Sequence, residues 1–126
     1  MYRVALVLVI AMASTISYAN AAGPNYLDYD SLTAQQRMAL GIYVIGASEA
    51  YGWANVSLVQ RGDAPLFCVP ANLHINGNRY LEIFKAESAN HRSAYKQMVD
   101  RSGHKSMAFV DIVLLDGLKS TFPCGK

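Results

Sequence analysis

The stretch from Thr33 to Gln60 constrains the fold most, because no proline interrupts it and its apolar residues recur with helical spacing. At about 100° per residue, small side chains form one line and larger apolar side chains flank it. The line comprises Ala39, Gly46, Ala50 and Ser57; the flanks comprise Leu40, Tyr43, Ala47, Trp53, Ala54 and Leu58. The opposite polar stripe is narrow and consists of Arg37, Gly41, Ser48, Gly52 and Asn55. We therefore expect a long helix, buried around most of its circumference, at the centre of an α-helical domain.

The remaining helices can be placed from their caps and stop signals. Thr33 and Gln36 have the spacing of a capping box at the start of the long helix. A second helix is expected over about residues 76–87, with Asn72, His74 or Asn76 as its cap. A third is expected to begin at a Ser88 or Asn90 cap and stop at Gly103, and a last one to run from Lys105 or Ser106 to Thr121. The sequence thus predicts an all-α fold, a compact bundle of about four to five helices.

The N-terminus has the pattern of a secretory signal peptide. Arg3 precedes a short apolar run over Val4–Ala13, and Ala19-Asn20-Ala21 offers a cleavage site before Ala22. We expect residues 1–21 to be removed, residues 22–126 to form a single domain, and that domain to be periplasmic without membrane insertion. An uncleaved anchor is the alternative, although the apolar run is short for a bilayer span.

Cys68 and Cys124 are the two cysteines of the chain. Since thiols of an exported protein meet an oxidising compartment, we expect them to form one disulfide. A metal site is the less favoured alternative, because two cysteines 56 positions apart lack the close spacing of zinc ligands.

Charge and motifs argue against several function classes. Loss of Arg3 with the leader reduces the formal net charge from +2 to +1, and the basic residues of the second half are interspersed with acidic ones, so nucleic-acid binding is not expected. His74, His91 and His104 lie in separate segments, and no nucleophile or metal-binding motif accompanies them. We therefore expect neither an enzyme nor a cofactor or metal.

Three motifs resemble the Tai/Rap family of type VI secretion amidase immunity proteins, whose pattern is G-Y-x-x-G-x-x-x-A, then F-C-x-P, then a closing A-L-x-x-x-F-P-C. The matching residues are Tyr43, Gly46 and Ala50 in the first motif, with Gly41 one position before the glycine of the pattern, Phe67, Cys68 and Pro70 in the second, and Leu118, Phe122, Pro123 and Cys124 in the third. The chain departs from the pattern at Leu73-His74 and Asn76-Gly77-Asn78, and residues 100–106 resemble an insertion.

The resemblance implies a periplasmic immunity protein that binds and inhibits a peptidoglycan amidase effector and so protects the producing cell from self-intoxication. It also implies a frequent homodimer. The alternative from another class is a general periplasmic helical binding or chaperone-like module, which predicts exposed hydrophobic surface.

Two surface sites are predicted. Ser102, Gly103, His104 and Lys105 join two helices and form the expected partner-binding loop; residues 61–66 form the second choice. Phe109 and Ile112 lie on the polar side of the last helix and are the expected dimer surface. Asp111, on the apolar stripe of that helix, is expected to hydrogen-bond to a tyrosine, an arginine or a backbone amide of a neighbouring helix.

Overall fold

The computed structural model describes residues 23–125, and its regular elements are helical. The predicted all-α bundle with one disulfide is confirmed; the predicted signal peptide, residues 1–21, lies outside the described residues. The α-helices are α1 (Ala34–Gln60), α2 (Gly77–Asn90), α3 (Arg92–Ser102) and α4 (Val110–Thr121). Two short 3-10 helices precede α1 and α4, at Tyr29–Ser31 and Ser106–Phe109.

The starts of α1 and α2 follow the predicted capping chemistry. At α1, the Thr33 hydroxyl accepts from the Gln36 backbone N–H at 3.3 Å, and the Gln36 side chain accepts from the Thr33 N–H at 2.9 Å, so the capping box is confirmed. At α2, the Asn76 side chain accepts from the Arg79 N–H at 2.9 Å. Each pairing satisfies a backbone donor that the first helical turn leaves free.

The predicted cap of α3 is wrong. Helix α2 continues through Asn90, and α3 begins directly after His91 without a side-chain cap. Ser88 is buried within α2 and donates its hydroxyl proton to the Leu27 carbonyl. The end of α3 is as predicted, since Gly103 has φ of +69°, a left-handed conformation that glycine adopts without a Cβ clash.

The core is built on α4, whose inner side chains Val110, Val113, Leu114 and Leu118 are fully buried. Helix α2 crosses α4 closely at Gly117, where an added Cβ would lie 2.9 Å from Ile83 Cγ2 and 3.2 Å from the Ile83 carbonyl oxygen. Glycine at this position therefore sets the distance between the two helices.

Helix α1 faces the core with a side that is turned away from the predicted small-residue line, although Leu40 of the predicted flank is buried as expected. Its buried residues are Leu40, Val44 and Ser48. The small-residue line Ala39, Gly46, Ala50 and Ser57 is exposed, and so is Trp53, of which 73% is accessible. The expectation of burial around most of the circumference is thus wrong.

The reason is that two polar side chains of α1 find partners inside the protomer. Ser48 donates to the Ile45 carbonyl at 2.7 Å. Asn55 accepts from the Leu66 N–H at 2.7 Å and donates to the Phe67 carbonyl at 2.8 Å. Because their hydrogen bonds are satisfied, these residues can face inward at little cost, and the helix is free to expose its other side.

Phe109 does not form the predicted dimer surface, because only 8% of it is exposed. It ends the 3-10 turn before α4 and packs into the core, whereas Ile112 remains 40% exposed. The carboxylate of Asp111 accepts from the adjacent Ile112 N–H at 3.0 Å, and Tyr51 of α1 donates to the Asp111 backbone carbonyl at 3.0 Å. The predicted tyrosine contact therefore exists, but it reaches the main chain rather than the carboxylate.

Candidate functional site

The disulfide joins the segment after α1 to the end of the chain. Cys68 and Cys124 are bonded with their Cα atoms 4.9 Å apart, as the sequence predicts. The Cys68 N–H donates to the Phe122 carbonyl at 2.8 Å, and Phe67 and Phe122 are both buried. The two cysteine-containing motifs therefore form one structural unit, tied to α1 through Asn55.

The predicted partner-binding loop is exposed and internally ordered. Ser102 is the last residue of α3, and Gly103, His104 and Lys105 connect it to the 3-10 turn; all four residues are on the surface. The Ser102 hydroxyl donates to the Val99 carbonyl at 2.9 Å and accepts from the His104 N–H at 3.0 Å. Two side chains of different chemistry, the imidazole of His104 and the ammonium of Lys105, are thus presented on a short connection with a defined backbone.

An N-terminal arm, residues 23–28, packs beside this connection and is hydrogen-bonded to Ser106, the residue that follows it. Ser106 is buried and its hydroxyl accepts from the Tyr26 N–H at 2.9 Å and donates to the Pro24 carbonyl at 3.0 Å. A Cβ on Gly23 would lie 3.9 Å from Lys105 Cδ, so the arm runs directly beside the lysine. This contact could not be predicted from residue spacing, because the residues that it joins are about 80 positions apart.

A pocket of about 700 Å³ lies between the arm, α3 and the connection, and His104 and Lys105 are part of its lining. Two ion pairs border it: Arg92 with Asp28 at 3.7 Å, and Lys96 with Asp100 at 2.5 Å. Within residues 23–125, Lys105 has no carboxylate at ion-pair distance. Its charge is therefore available to a partner.

The second-choice loop is a capped turn. Gly62 ends α1 with φ of +79°, and Arg61 lies 3.4 Å from Asp63 in an exposed ion pair. A second pocket of about 620 Å³ lies nearby, between the last turns of α1 and the segment carrying His74. Because Arg61 is already paired with Asp63, this loop offers less free charge than the 102–105 connection.

A polar cluster of Tyr95, Glu87, Asp116 and His91 lies beside the pocket and joins α3 to α2 and α4. The Tyr95 hydroxyl is 2.8 Å from Glu87 Oε1 and 3.1 Å from Asp116 Oδ2, and His91 Nδ1 is 2.8 Å from the same Glu87 oxygen. Burial, together with the hydrogen bond to Glu87 and the nearby carboxylates, raises the pKa of the Tyr95 phenol. Since Tyr95 and Glu87 are buried, we assign the cluster a structural role.

The outer face of α1 is an exposed apolar surface, and it includes the small-residue line, Tyr43 and Trp53, which were expected in the core. We define it by the exposed residues Met38, Ala39, Ile42, Tyr43, Gly46, Ala50, Trp53 and Ser57. From Met38 to Gln60 the helix carries a single charged residue, Glu49. That scarcity of charge was the sequence signal that distinguishes a contact surface from an ordinary solvated helix face.

No three His, Cys, Asp or Glu side chains of residues 23–125 are grouped so that they could hold a metal ion. None of the helices among these residues combines the length and apolar character of a membrane span.

Comparisons with known proteins give no match: no protein-family model, curated protein or solved structure matches the chain.

Proposed function

We propose that this chain is a periplasmic immunity protein that binds and inhibits a peptidoglycan amidase, with the 102–105 connection entering the amidase cleft. The proposal rests on the resemblance of the three sequence motifs to the Tai/Rap family and on an exposed connection that carries free charge. The disulfide between Cys68 and Cys124 is compatible with export, which the leader predicts.

The observation that carries the proposal is the order and exposure of the 102–105 connection. An inhibitor of a cleft enzyme binds tightly when its inserted segment loses little conformational freedom. Here the Ser102 hydroxyl is hydrogen-bonded to the backbone of Val99 and of His104, and the Ser106 hydroxyl is hydrogen-bonded to the arm. The backbone of the connection is therefore already constrained before binding. Lys105 and His104 would supply the polar contacts, by pairing with a carboxylate or thiolate of the amidase.

The proposal predicts that a gene beside this one encodes an amidase with a Cys-His catalytic pattern, and the test is titration calorimetry with that enzyme. The variant His104→Ala/Lys105→Ala keeps Gly103, whose positive φ would be strained by any other residue. We expect this variant to lose at least about 2 kcal/mol of binding free energy, the scale of an interface hot spot.

The matched control removes the same residue types elsewhere on the surface, as His74→Ala/Lys119→Ala. It should bind like the wild type, and both variants should keep the wild-type melting temperature because all four side chains are exposed. If His104→Ala/Lys105→Ala binds with wild-type affinity, the amidase is bound by a surface other than this connection. No binding by the wild-type chain would refute the proposed function.

A general binding or chaperone-like role is the second candidate, and the outer face of α1 favours it. A chaperone-like module exposes apolar surface to capture unfolded chains, and Trp53, Met38 and Ile42 are each about 70% exposed. This role predicts that the chain suppresses aggregation of unrelated unfolded proteins. An immunity protein should leave such aggregation unchanged while it binds one amidase.

A further inference from the structure

We infer that the pocket between the arm, α3 and the 102–105 connection binds a small amphipathic carboxylate, a molecule with one carboxylate group and an apolar carbon chain. The pocket, of about 700 Å³, has the volume of a small-molecule site. This inference does not rest on the proposed function, because it concerns what the chain binds on its own. It goes beyond that function, since a segment that enters an enzyme cleft needs no pocket of its own.

The charges around the pocket select a ligand with a single negative charge. Three cations and two carboxylates line it, which leaves a net charge of +1 when its histidine is neutral: Arg92, Lys96, Lys105, Asp28 and Asp100. Arg92 is paired with Asp28 at 3.7 Å and Lys96 with Asp100 at 2.5 Å, so the cation left over is Lys105. A carboxylate in the pocket would give this ammonium group the ion pair that residues 23–125 do not provide.

The inner wall of the pocket offers carbon atoms rather than free hydrogen-bonding groups. Leu27 and Val99 contribute apolar side chains, and Leu27 is buried. The hydroxyl groups of the lining belong to Tyr95 and Ser106, and both are already used within the protomer. Tyr95 lies within hydrogen-bonding distance of two carboxylates, and Ser106 is hydrogen-bonded to the backbone of the arm.

This wall distinguishes between two classes of ligand. A sugar or another polyhydroxylated molecule would lose hydrogen bonds to water and find few replacements here, which is unfavourable. An alkyl chain has no hydrogen bonds to lose and gains free energy when its surface leaves water. The ligand should therefore combine an apolar body with its single carboxylate.

The shape of the pocket orients the ligand. It borders α3 from Arg92 to Asp100, and a rise of 1.5 Å per residue gives a length of about 12 Å along the helix. Lys105 follows the C-terminal end of α3, so the carboxylate lies at that end and the apolar chain extends along the helix. Hydrogen bonds of Ser106 to the arm hold one end of the pocket, and the ion pair of Arg92 with Asp28 joins the arm to α3 at the other. Walls that are held before binding reduce the entropy lost on binding.

The experiment is titration calorimetry with octanoate, whose length is comparable to that of the pocket, on the chain expressed from its full gene. Octanoate is used at concentrations that form no micelles, and it should bind saturably at one site per chain. Octylammonium, which has the same apolar chain and the opposite charge, should bind at least about threefold more weakly because it meets a net positive pocket. Acetate, which has the charge without the chain, should show no measurable binding.

Two variants separate the charge from the apolar wall. Lys105→Met removes the ammonium group and keeps an apolar stem; it should weaken octanoate binding about three- to tenfold and leave binding of the neutral octan-1-ol unchanged. Lys119→Met is the matched control, because Lys119 is an exposed lysine of α4 outside the pocket. Val99→Thr places a hydroxyl group in the wall at nearly the same volume and should weaken octanoate and octan-1-ol alike, by about threefold. Circular dichroism should show the wild-type helix content in all three variants.

The location of the ligand is read from backbone amide resonances. Octanoate should shift those of the arm and of the C-terminal half of α3, and leave unchanged those of Leu73, His74 and Ile75, which line the other pocket. The fluorescence of Trp53, on the exposed face of α1, should not change. Absence of saturable octanoate binding, an equal effect of Lys105→Met and Lys119→Met, unchanged binding in Val99→Thr, or shifts centred on the other pocket or on α1 would overturn the inference. Because no amidase is present, a negative result here leaves the proposed function standing, and failure to bind the amidase leaves this result standing.

Discussion

Gly117 on α4 is the position where one added methyl group should most clearly lower the free energy of unfolding. In Gly117→Ala the new Cβ would lie 2.9 Å from Ile83 Cγ2, 3.0 Å from Glu87 Cβ and 3.2 Å from the Ile83 carbonyl oxygen. The first contact can relax by side-chain rotation, but the last one involves the backbone of α2. Relief therefore requires α2 and α4 to move apart, and with them the core that they share.

The expected magnitude is the difference of two opposing effects. Overpacking a well-filled core costs about 1 to 3 kcal/mol, and replacing glycine by alanine inside a helix returns up to about 1 kcal/mol. Because one of the contacts is to a backbone oxygen, the overpacking cost should lie in the upper part of that range, about 2 to 3 kcal/mol, so the free energy of unfolding of Gly117→Ala should fall by about 1 to 2 kcal/mol. For a domain of this size the melting temperature should drop by about 4 to 8 °C per kcal/mol.

Gly41→Ala is the matched control, because the same substitution in α1 meets no atom within 4 Å. It should raise the free energy of unfolding by about 0.4 to 1 kcal/mol. Both variants and the wild type should be unfolded by urea and by heat at one protein concentration, with helix content followed by circular dichroism. If Gly117→Ala is as stable as the wild type, the close packing of α2 on α4 is not as described.

Two further outcomes concern the disulfide and the buried tyrosine. Cys68→Ser should lower the free energy of unfolding by about 4 kcal/mol, the loop-closure value for a bridge of this span, as measured by urea unfolding; an unchanged midpoint would contradict a bridge between Cys68 and Cys124. Because the pKa of Tyr95 is raised, its phenol keeps its proton in the folded state at a pH where the unfolded chain has begun to lose it. The contribution of Tyr95 to the free energy of unfolding should therefore be fully present below about pH 10 and fall as the pH rises further. Urea unfolding between pH 8 and about pH 11 should show a shallower fall in Tyr95→Phe, and an equal fall in both proteins would refute the role assigned to Tyr95.

Much of the fold could be predicted because it depends on local chemistry. The Thr33 and Gln36 cap, the Asn76 cap and the Gly103 stop follow from hydrogen bonds and backbone conformations within a few residues. The pairing of Cys68 with Cys124 needed only a count of two thiols and the expectation of export. These features do not depend on how the helices are turned toward one another.

The orientation of α1 could not be predicted from its apolar pattern, because this helix has apolar residues on every side. Ser48 and Asn55 appeared to mark a solvent face, yet both are hydrogen-bonded inside the protomer to backbone groups. Asn55 bonds to Leu66 and Phe67, in the segment that follows the helix, a tertiary contact that residue spacing does not reveal. The assignment of Ser88 as a cap failed for the same reason, since its partner is Leu27 in the distant arm.

The candidate site was predicted in part. Exposure of residues 102–105 follows from their polar composition and position between helices, and the structure has them on the surface. The arm beside Lys105 and the shared pocket depend on contacts between the two ends of the chain, which the sequence does not indicate. Phe109 was misassigned because a 3-10 turn precedes α4, so the helical angle used to place it on the outer side does not apply there.

The central claim, inhibition of a peptidoglycan amidase, is tested most directly by peptidoglycan hydrolysis. Purified peptidoglycan is incubated with the amidase that the proposal predicts to be encoded beside this gene, alone or with an equimolar amount of the chain, and the released stem peptides are quantified. Release should fall to background with the wild-type chain and with His74→Ala/Lys119→Ala, and it should be restored with His104→Ala/Lys105→Ala. Full amidase activity in the presence of the wild-type chain would contradict the claim.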